Sequence, residues 1–540
     1  MRLRSKFVAA FCASVVATMS AVPVASAQGV LSGAGGAEPQ SQFGSAVASG
    51  SDLDGDGVID LIVGARFEDA GLPDRGVVRV FSGKTGTVTQ SLLGPQAQAR
   101  FGTSVASIGD VNGDGIADFA VAAPGAGIAS MRSGSNGASL WTAPCDVGPS
   151  SPGGSIPALV CALGDVNGDG IPDVAIARSA SGAVDVRRGQ NGVLIKTITD
   201  PSPSGPPGTF GAALSPAGDL DFDGIVELAI GSPNASSSGL TQNGTIVIAR
   251  SDTGAIVRTL FGGASSDHLG AALALVGDVD FDFVEDLAAG SPGSSLFKPN
   301  GGLAEIRSGA NGLPTWILLP PGPNARFGAS VSGAGLLDAN NAFDFAVGAP
   351  DVRRVFVYSG AFALPLYDVG LSAAPGFGET LAFPGDVNQD GVGDLIVGAP
   401  GTGATDKGAT YVVSGQCGGT APYGAGCKGP FAKVPKLAIN GCPAPLGVVS
   451  IGVTDLAPGA FGFILSAAQA GSTPLTGGCT SLLSLVYPGV FPFVADAQGS
   501  VAFAGQIPLG MTGAVRRFQA FALGAGAAVA TTNGVTLTIP

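Results

Sequence analysis

Phe43-Gly44-Ser45-Ala46-Val47 precedes Asp52-Leu53-Asp54-Gly55-Asp56-Gly57-Val58-Ile59-Asp60, which runs directly into Leu61-Ile62-Val63-Gly64-Ala65. This three-part unit recurs along the chain, its acidic segment starting again at Asp110, Asp165, Asp219, Asp278, Leu336 and Asp386. Nine positions before each start stands an apolar residue: Phe43, Phe101, Ile156, Phe210, Leu269, Phe327 and Phe377. Twelve positions after each start stands a small residue, best seen in Gly348-Ala349-Pro350 and Gly398-Ala399-Pro400. Seven copies with fixed internal offsets mark a solenoid, a propeller or an array. Each unit holds three or four short runs rich in Val, Ile, Ala and Phe, separated by Gly, Pro, Ser and Asp, which reads as strands. Leu61-Ile62-Val63 and Leu395-Ile396-Val397 are apolar at consecutive positions, as in a strand buried on both faces between stacked sheets. Four short strands repeated seven times about an axis predict an all-β, seven-bladed β-propeller.

The acidic segment reads as a cation loop. Oxygen ligands at positions 1, 3 and 5, a carbonyl at 7 and a carboxylate at 9 suit Ca²⁺, a hard ion that takes six to eight oxygens. Asp52, Asp54, Asp56 and Asp60 fit, as do Asp110, Asn112, Asp114 and Asp118. So do Asp165, Asn167, Asp169 and Asp173, and Asp386, Asn388, Asp390 and Asp394. The fourth copy, Asp219, Asp221, Asp223 and Glu227, has a longer last ligand. The fifth, Asp278, Asp280, Asp282 and Asp286, has Phe283 where glycine makes the sharp turn, which puts its site in question. The sixth begins at Leu336 with Asn340 at position 5 and is expected to hold no ion. The count is therefore about five Ca²⁺ ions. An EF-hand or dockerin-like module shares this opening but needs a bidentate Glu at position 12, where this chain has Val63, Val121, Ile176, Ile230, Ala289, Val347 and Val397. A polar turn without metal is the other reading, and carboxylates crowded this closely without a cation would repel one another.

Phe-Gly, Asp-x-Asp/Asn-x-Asp-Gly-x-x-Asp and Gly-Ala-Pro, in that order, resemble the FG-GAP repeat of integrin α-subunit propellers and of bacterial secreted proteins. The resemblance covers about residues 29–416 and implies seven blades with Ca²⁺ in hairpin loops on one face. The third copy departs from the pattern, with Ile156-Pro157 and Ala177-Arg178-Ser179 in place of the flanking motifs.

The segments outside the repeat read differently. Arg2, Arg4 and Lys6, the apolar run Phe7 to Met19, and Ala25-Ser26-Ala27 form a signal-peptide pattern over residues 1–27, which predicts export to the exterior or the cell surface. Residues 28–417 are then the propeller and 418–540 a small C-terminal β-sandwich, whose Gly/Pro turns separate runs such as Phe461-Gly462-Phe463-Ile464-Leu465. No later apolar run is long enough to span a bilayer as a helix. In an oxidising compartment the six cysteines beyond Cys12 favour disulfides, and nearness in sequence suggests Cys145–Cys161, Cys417–Cys427 and Cys442–Cys479.

Composition narrows the function. Lys+Arg total 26 against Asp+Glu 40, a formal charge of −14, so little is available to neutralise nucleic-acid phosphates. The single histidine, His268, argues against His-based triads and His-rich metal sites, and reads as a surface or turn residue. The dense carboxylate groups are all absorbed by the cation loops, so no catalytic residue is assigned. The favoured reading is a secreted, non-catalytic recognition or adhesion module for protein partners. The candidate surface is the set of loops 66–75, 234–243, 294–300 and 402–407. A lectin-like propeller is the alternative, with a calcium-dependent polysaccharide lyase or hydrolase behind it. Two Trp and five Tyr offer few rings for stacking on sugars.

Ring closure yields one further expectation. The seventh copy runs from Tyr411-Val412-Val413-Ser414 into new sequence with no outer strand of its own, while Gly29-Val30-Leu31-Ser32-Gly33 lies ahead of Phe43. Residues 29–33 are expected to supply the missing strand beside residues 410–414, because an open ring leaves two sheet edges unpaired.

Overall fold

The computed structural model describes residues 30–146, 158–201 and 209–415, apart from 336, 338–342, 361, 362, 364, 390–392 and 402–405, together with strand segments between 420 and 538. Seven four-stranded antiparallel sheets form the ring. Blade one is Phe43–Ser49, Leu61–Ala65, Val77–Phe81 and Val88–Leu93, ordered from the axis outward. Blades two to six repeat this order with consecutive strands. All seven blades line one axial cavity of about 140 Å³, through Ala46, Val105, Ala158, Ala213, Ala272, Val331 and Leu381. The described residues contain 3₁₀ turns but no α-helix, and none of their helices is long and apolar enough to cross a membrane.

The second strand of each blade is buried on both faces, as its unbroken apolar run requires: Leu61–Ala65 and Asp394–Ala399 are buried at every position. The outer strand Val88–Leu93 is largely exposed.

The flanking motifs are the joints between blades. Phe43, Phe101, Phe210, Phe327 and Phe377 are all almost completely buried. Five of the seven slots hold glycine, the second having Ala122 and the third Ala177, and each of these glycines lies against the Phe-Gly glycine of the following blade. A Cβ on Gly64 would stand 2.1 Å from the Gly102 carbonyl oxygen, and one on Gly348 would stand 2.1 Å from that of Gly378. Only a missing side chain permits so close an approach of two backbones. In the third copy Ala177 fills the first of these slots, and its Cβ lies beside Gly211.

The ring closes as the two ends of the repeat array require. Val30–Gly35 pairs antiparallel with Ala409–Val413 and completes blade seven, with Val30 opposite Val413 and Gly35 opposite Ala409. The observed strand runs two residues beyond the expected one. The joint of the other blades is repeated at the seam: a Cβ on Gly398 would lie 2.2 Å from the Gly44 carbonyl oxygen, and the Phe43 N–H donates to the Lys407 carbonyl at 3.0 Å.

Beyond the ring, Thr420–Tyr423, Gly534–Thr538, Val515–Leu523, Phe461–Ala467 and Gly489–Val494 join one sheet, with Val529–Thr531 on Val515–Leu523. Lys436–Gly441, Val448–Thr454 and Val501–Gln506 form another, which is the strand pairing a β-sandwich needs.

Two expectations are corrected. Cys145 and Cys161 are free thiols, both buried, and burial pushes each up to about 12, so the expected pair is not formed. The other four cysteines lie outside the described residues. His268 occupies a turn as expected, with φ of 58°, but it is buried rather than on the surface, its Nδ1 3.1 Å from the Pro233 carbonyl oxygen.

Candidate cation-binding loops

Each acidic segment links the innermost strand of its blade to the second, and its own backbone shapes it. In blade one, Asp52 accepts the N–H groups of Gly55 at 2.7 Å, Asp56 at 3.0 Å and Gly57 at 2.8 Å, which folds the loop around the first carboxylate. Asp56 accepts the Val58 N–H at 2.9 Å and the Ser82 hydroxyl at 3.0 Å. Asp110 and Asp165 repeat the role of Asp52, accepting Gly115 at 2.8 Å and Gly170 at 2.7 Å. Loop five keeps the same turn despite its phenylalanine: Phe283 takes φ of 70° and its N–H reaches Asp278 at 2.9 Å.

Position 9 has a role that the sequence pattern did not expose. Asp60 is fully buried. One oxygen accepts the N–H groups of Leu53 at 2.7 Å and Asp54 at 3.1 Å, and the other accepts Gly83 at 3.0 Å, in the turn after the third strand. Asp118, Asp173, Asp286 and Asp394 bind the matching glycines Gly134, Gly189, Gly309 and Gly415. Asp344 does the same in blade six, accepting Leu337 at 2.6 Å and Gly360 at 2.9 Å, although that copy has no acid at position 1. The ninth residue is therefore a clamp between two turns of its blade whether or not the loop can hold an ion. The glycine is obligatory: a Cβ on Gly83 would lie 2.0 Å from the Ile59 carbonyl oxygen. The recurring Ser-Gly at 82–83, 133–134, 308–309, 359–360 and 414–415 was the available signal.

Blade four alters the clamp. Ser251 stands where glycine does elsewhere, and Glu227 replaces aspartate. Glu227 Oε2 accepts the Leu220 N–H at 2.7 Å, while its buried Oε1 has no hydrogen-bond partner.

The carboxylates converge as a cation site requires. Oxygens of Asp52, Asp54 and Asp60 lie within 4.8 Å of one another, as do those of Asp219, Asp221 and Glu227, and of Asp278, Asp280 and Asp282. In loops two and three the asparagine at position 3 turns its amide on neighbouring acids. Asn112 Nδ2 reaches Asp114 and Asp118, each at 3.2 Å, and Asn167 Nδ2 reaches Asp173 at 2.8 Å. Asp390 lies outside the described residues, as do Leu336 and Asn340. Burial pushes the carboxyls of Asp60, Asp118, Asp173 and Glu227 above their usual range and takes Asp286 up to about 6, and neighbouring acids add to each rise. Asp165 is held below that range, chiefly by the Gly170 N–H. A buried acid crowded by other acids is a position where a bound cation favours the charged form. The donor set, hard oxygens on a turn that already points them inward, fits a divalent ion of the calcium type.

Four phenylalanines stand on these loops, away from the Phe-Gly slots, and their exposure was not read from the sequence. Phe222, Phe281, Phe283 and Phe343 are 68%, 53%, 87% and 58% exposed, all on loops four to six. Conversely, the loops proposed as a recognition surface are partly tied down. The Asp74 carbonyl accepts the Arg100 N–H at 3.1 Å, and the Gln242 carbonyl accepts that of His268 at 3.2 Å, so these loops brace the next blade.

A ring of seven four-stranded antiparallel blades, with acidic turns between inner strands, defines a β-propeller. Comparison with known proteins identifies the repeat. The FG-GAP repeat matches residues 43–81, 101–140 and 377–413, and an FG-GAP-like repeat matches 165–230. The chain carries FG-GAP repeats over these residues. It is similar to integrin alpha-4 of Xenopus laevis (40% identical over 100 residues, 18% of this chain and 10% of the relative). It is also similar to integrin alpha-5 of Xenopus laevis (31% over 160 residues, 27% and 15%) and integrin alpha-V of Gallus gallus (30% over 219 residues, 36% and 20%). The matches thus span between a tenth and a fifth of the length of these relatives.

Proposed function

We propose that this chain is an exported, calcium-loaded propeller that serves as a non-catalytic recognition or adhesion module for a protein partner. Residues 1–27 direct export, 28–417 form the propeller and 418–540 a separate sandwich. The observation that carries the reading is the convergence of positions 1, 3 and 9 in loop one and of positions 1, 3 and 5 in loop five, in a chain similar in sequence to integrin α-subunits. Ca²⁺ would be held by the acids and asparagines of loops one to three, five and seven. It supplies charge neutralisation to the buried carboxylates, and the chain's own N–H groups keep the oxygens aimed. Melting should rise with Ca²⁺ and fall with EDTA, since an ion bound only by the folded state contributes about 2.7 kcal/mol per site at a hundredfold excess over Kd. A melting temperature indifferent to both would remove the cation from the reading.

One observation favours the glycan alternative: the exposed phenylalanine rings of loops four to six offer apolar faces that the Trp and Tyr count alone did not. Trp141 is unsuited to that role, since its Nε1 donates to the Gly189 carbonyl at 2.6 Å. A pull-down of surface proteins run beside a glycan array, each with Ca²⁺ and with EDTA, separates the two. Cation-dependent protein capture supports the first reading, and cation-dependent glycan binding without capture replaces it.

A further inference from the structure

The residue just before the clamp glycine is serine in five blades: Ser82, Ser133, Ser308, Ser359 and Ser414. In blade three it is Arg188, and in blade four, ahead of Ser251 in place of the glycine, it is Arg250. In blade one Ser82 donates to the position-5 carboxylate, Asp56. In blade four Arg250 takes over that bond and adds to it. Its two terminal nitrogens bond Asp221, at position 3, and Asp223, at position 5, and its Nε bonds Asp252 at 3.1 Å. Arg188 is not seated in this way: its nearest terminal nitrogen stands 4.0 Å from Asp169, and its side chain is 46% exposed against 22% for Arg250.

We propose that Arg250 is a built-in counter-ion that takes the place of the divalent cation in loop four, so that this loop is shaped without metal while loop one requires it. The inference rests on the cation-loop reading above. A guanidinium is charged at every working pH, and its planar fork suits two carboxylates at once. A divalent ion in the same loop would compete for Asp221 and Asp223 and meet a fixed positive charge beside them, which weakens its binding about tenfold or more. The remaining donors are intact. Oxygens of Asp219, Asp221 and Glu227 lie within 4.8 Å of one another, and Glu227 Oε1 is buried without a hydrogen-bond partner. Removing the arginine therefore leaves a cradle like that of loop one, with the serine that loop one carries in its place. The consequence is a graded ring: ion removal loosens loop one and leaves loop four in position.

The test counts Ca²⁺ bound per folded full-length chain by equilibrium dialysis at a free concentration that saturates the wild type. Arg250→Ser should bind one more ion than wild type, and adding Asp221→Ala to it should take that ion away again. Arg250→Lys keeps the charge and should bind the wild-type number. Asp54→Ala should lose one ion. Equal counts for Arg250→Ser and wild type, both above zero, would overturn the proposal alone. So would a double variant that binds one ion fewer than wild type, because loop four would then have held metal beside its arginine. No bound ion in any of the chains would overturn the cation-loop reading and the proposal with it. Circular dichroism of Arg250→Ser confirms that the count refers to folded protein.

Discussion

Asp344 separates the clamp from the ion, because it sits in the one copy whose first position is leucine. Asp344→Ala removes the acceptor for two backbone N–H groups, those of Leu337 at 2.6 Å and Gly360 at 2.9 Å, at a fully buried position. Leaving a buried donor unsatisfied costs about 1–3 kcal/mol, so the pair amounts to roughly 2–6 kcal/mol. Unfolding entropy is about 2.1 cal/mol/K per residue, so over a ring of roughly 390 residues 1 kcal/mol moves Tm by about 1.2 °C. The expected fall is therefore about 2–7 °C, read by differential scanning calorimetry. It should be the same in Ca²⁺ and in EDTA, since the sixth copy begins with leucine and is expected to hold no ion. Asp60→Ala, at the equivalent position of loop one, should fall further in Ca²⁺ than in EDTA because it loses the clamp and a ligand together. A Tm for Asp344→Ala within about 1 °C of wild type, or a fall that vanishes in EDTA, would refute the clamp.

Deleting residues 30–35 unpairs Ala409–Val413 and opens blade seven, and should broaden the melting transition and expose that blade to limited proteolysis. Gly398→Ala places a Cβ 2.2 Å from the Gly44 carbonyl oxygen and should destabilise the closed ring by about 1–3 kcal/mol in urea unfolding. In EDTA, Asp286 contributes a pH dependence whose sign follows from its raised pKa. The folded state holds this proton more tightly than the unfolded chain, so the contribution to stability is full below the ordinary value of 3.8 and is lost as pH rises through about 6. Asp286→Asn should flatten that part of the Tm-against-pH curve, and an unchanged curve would argue against it.

Much of this protein was decided by the sequence alone, because its order is periodic and local. The unbroken apolar run of Leu61-Ile62-Val63 required a strand buried on both faces. The acidic spacing marks the loops, and the repeat's want of an outer strand after Val413 is met by the N-terminal strand Val30–Gly35. Contacts between residues far apart in the chain were decided only by the tertiary structure. The Asp60–Gly83 clamp and the Gly64–Gly102 approach join turns whose separation depends on how strands stack, which no spacing rule reports. The seating of Arg250, the free thiols of Cys145 and Cys161, and the burial of His268 are likewise outcomes of packing. A side chain's partner is set by what the folded backbone brings within hydrogen-bond reach. Repeat periodicity sets the frame, but each blade's exceptions, Arg250 and Glu227 above all, acquire their meaning only when that frame is closed.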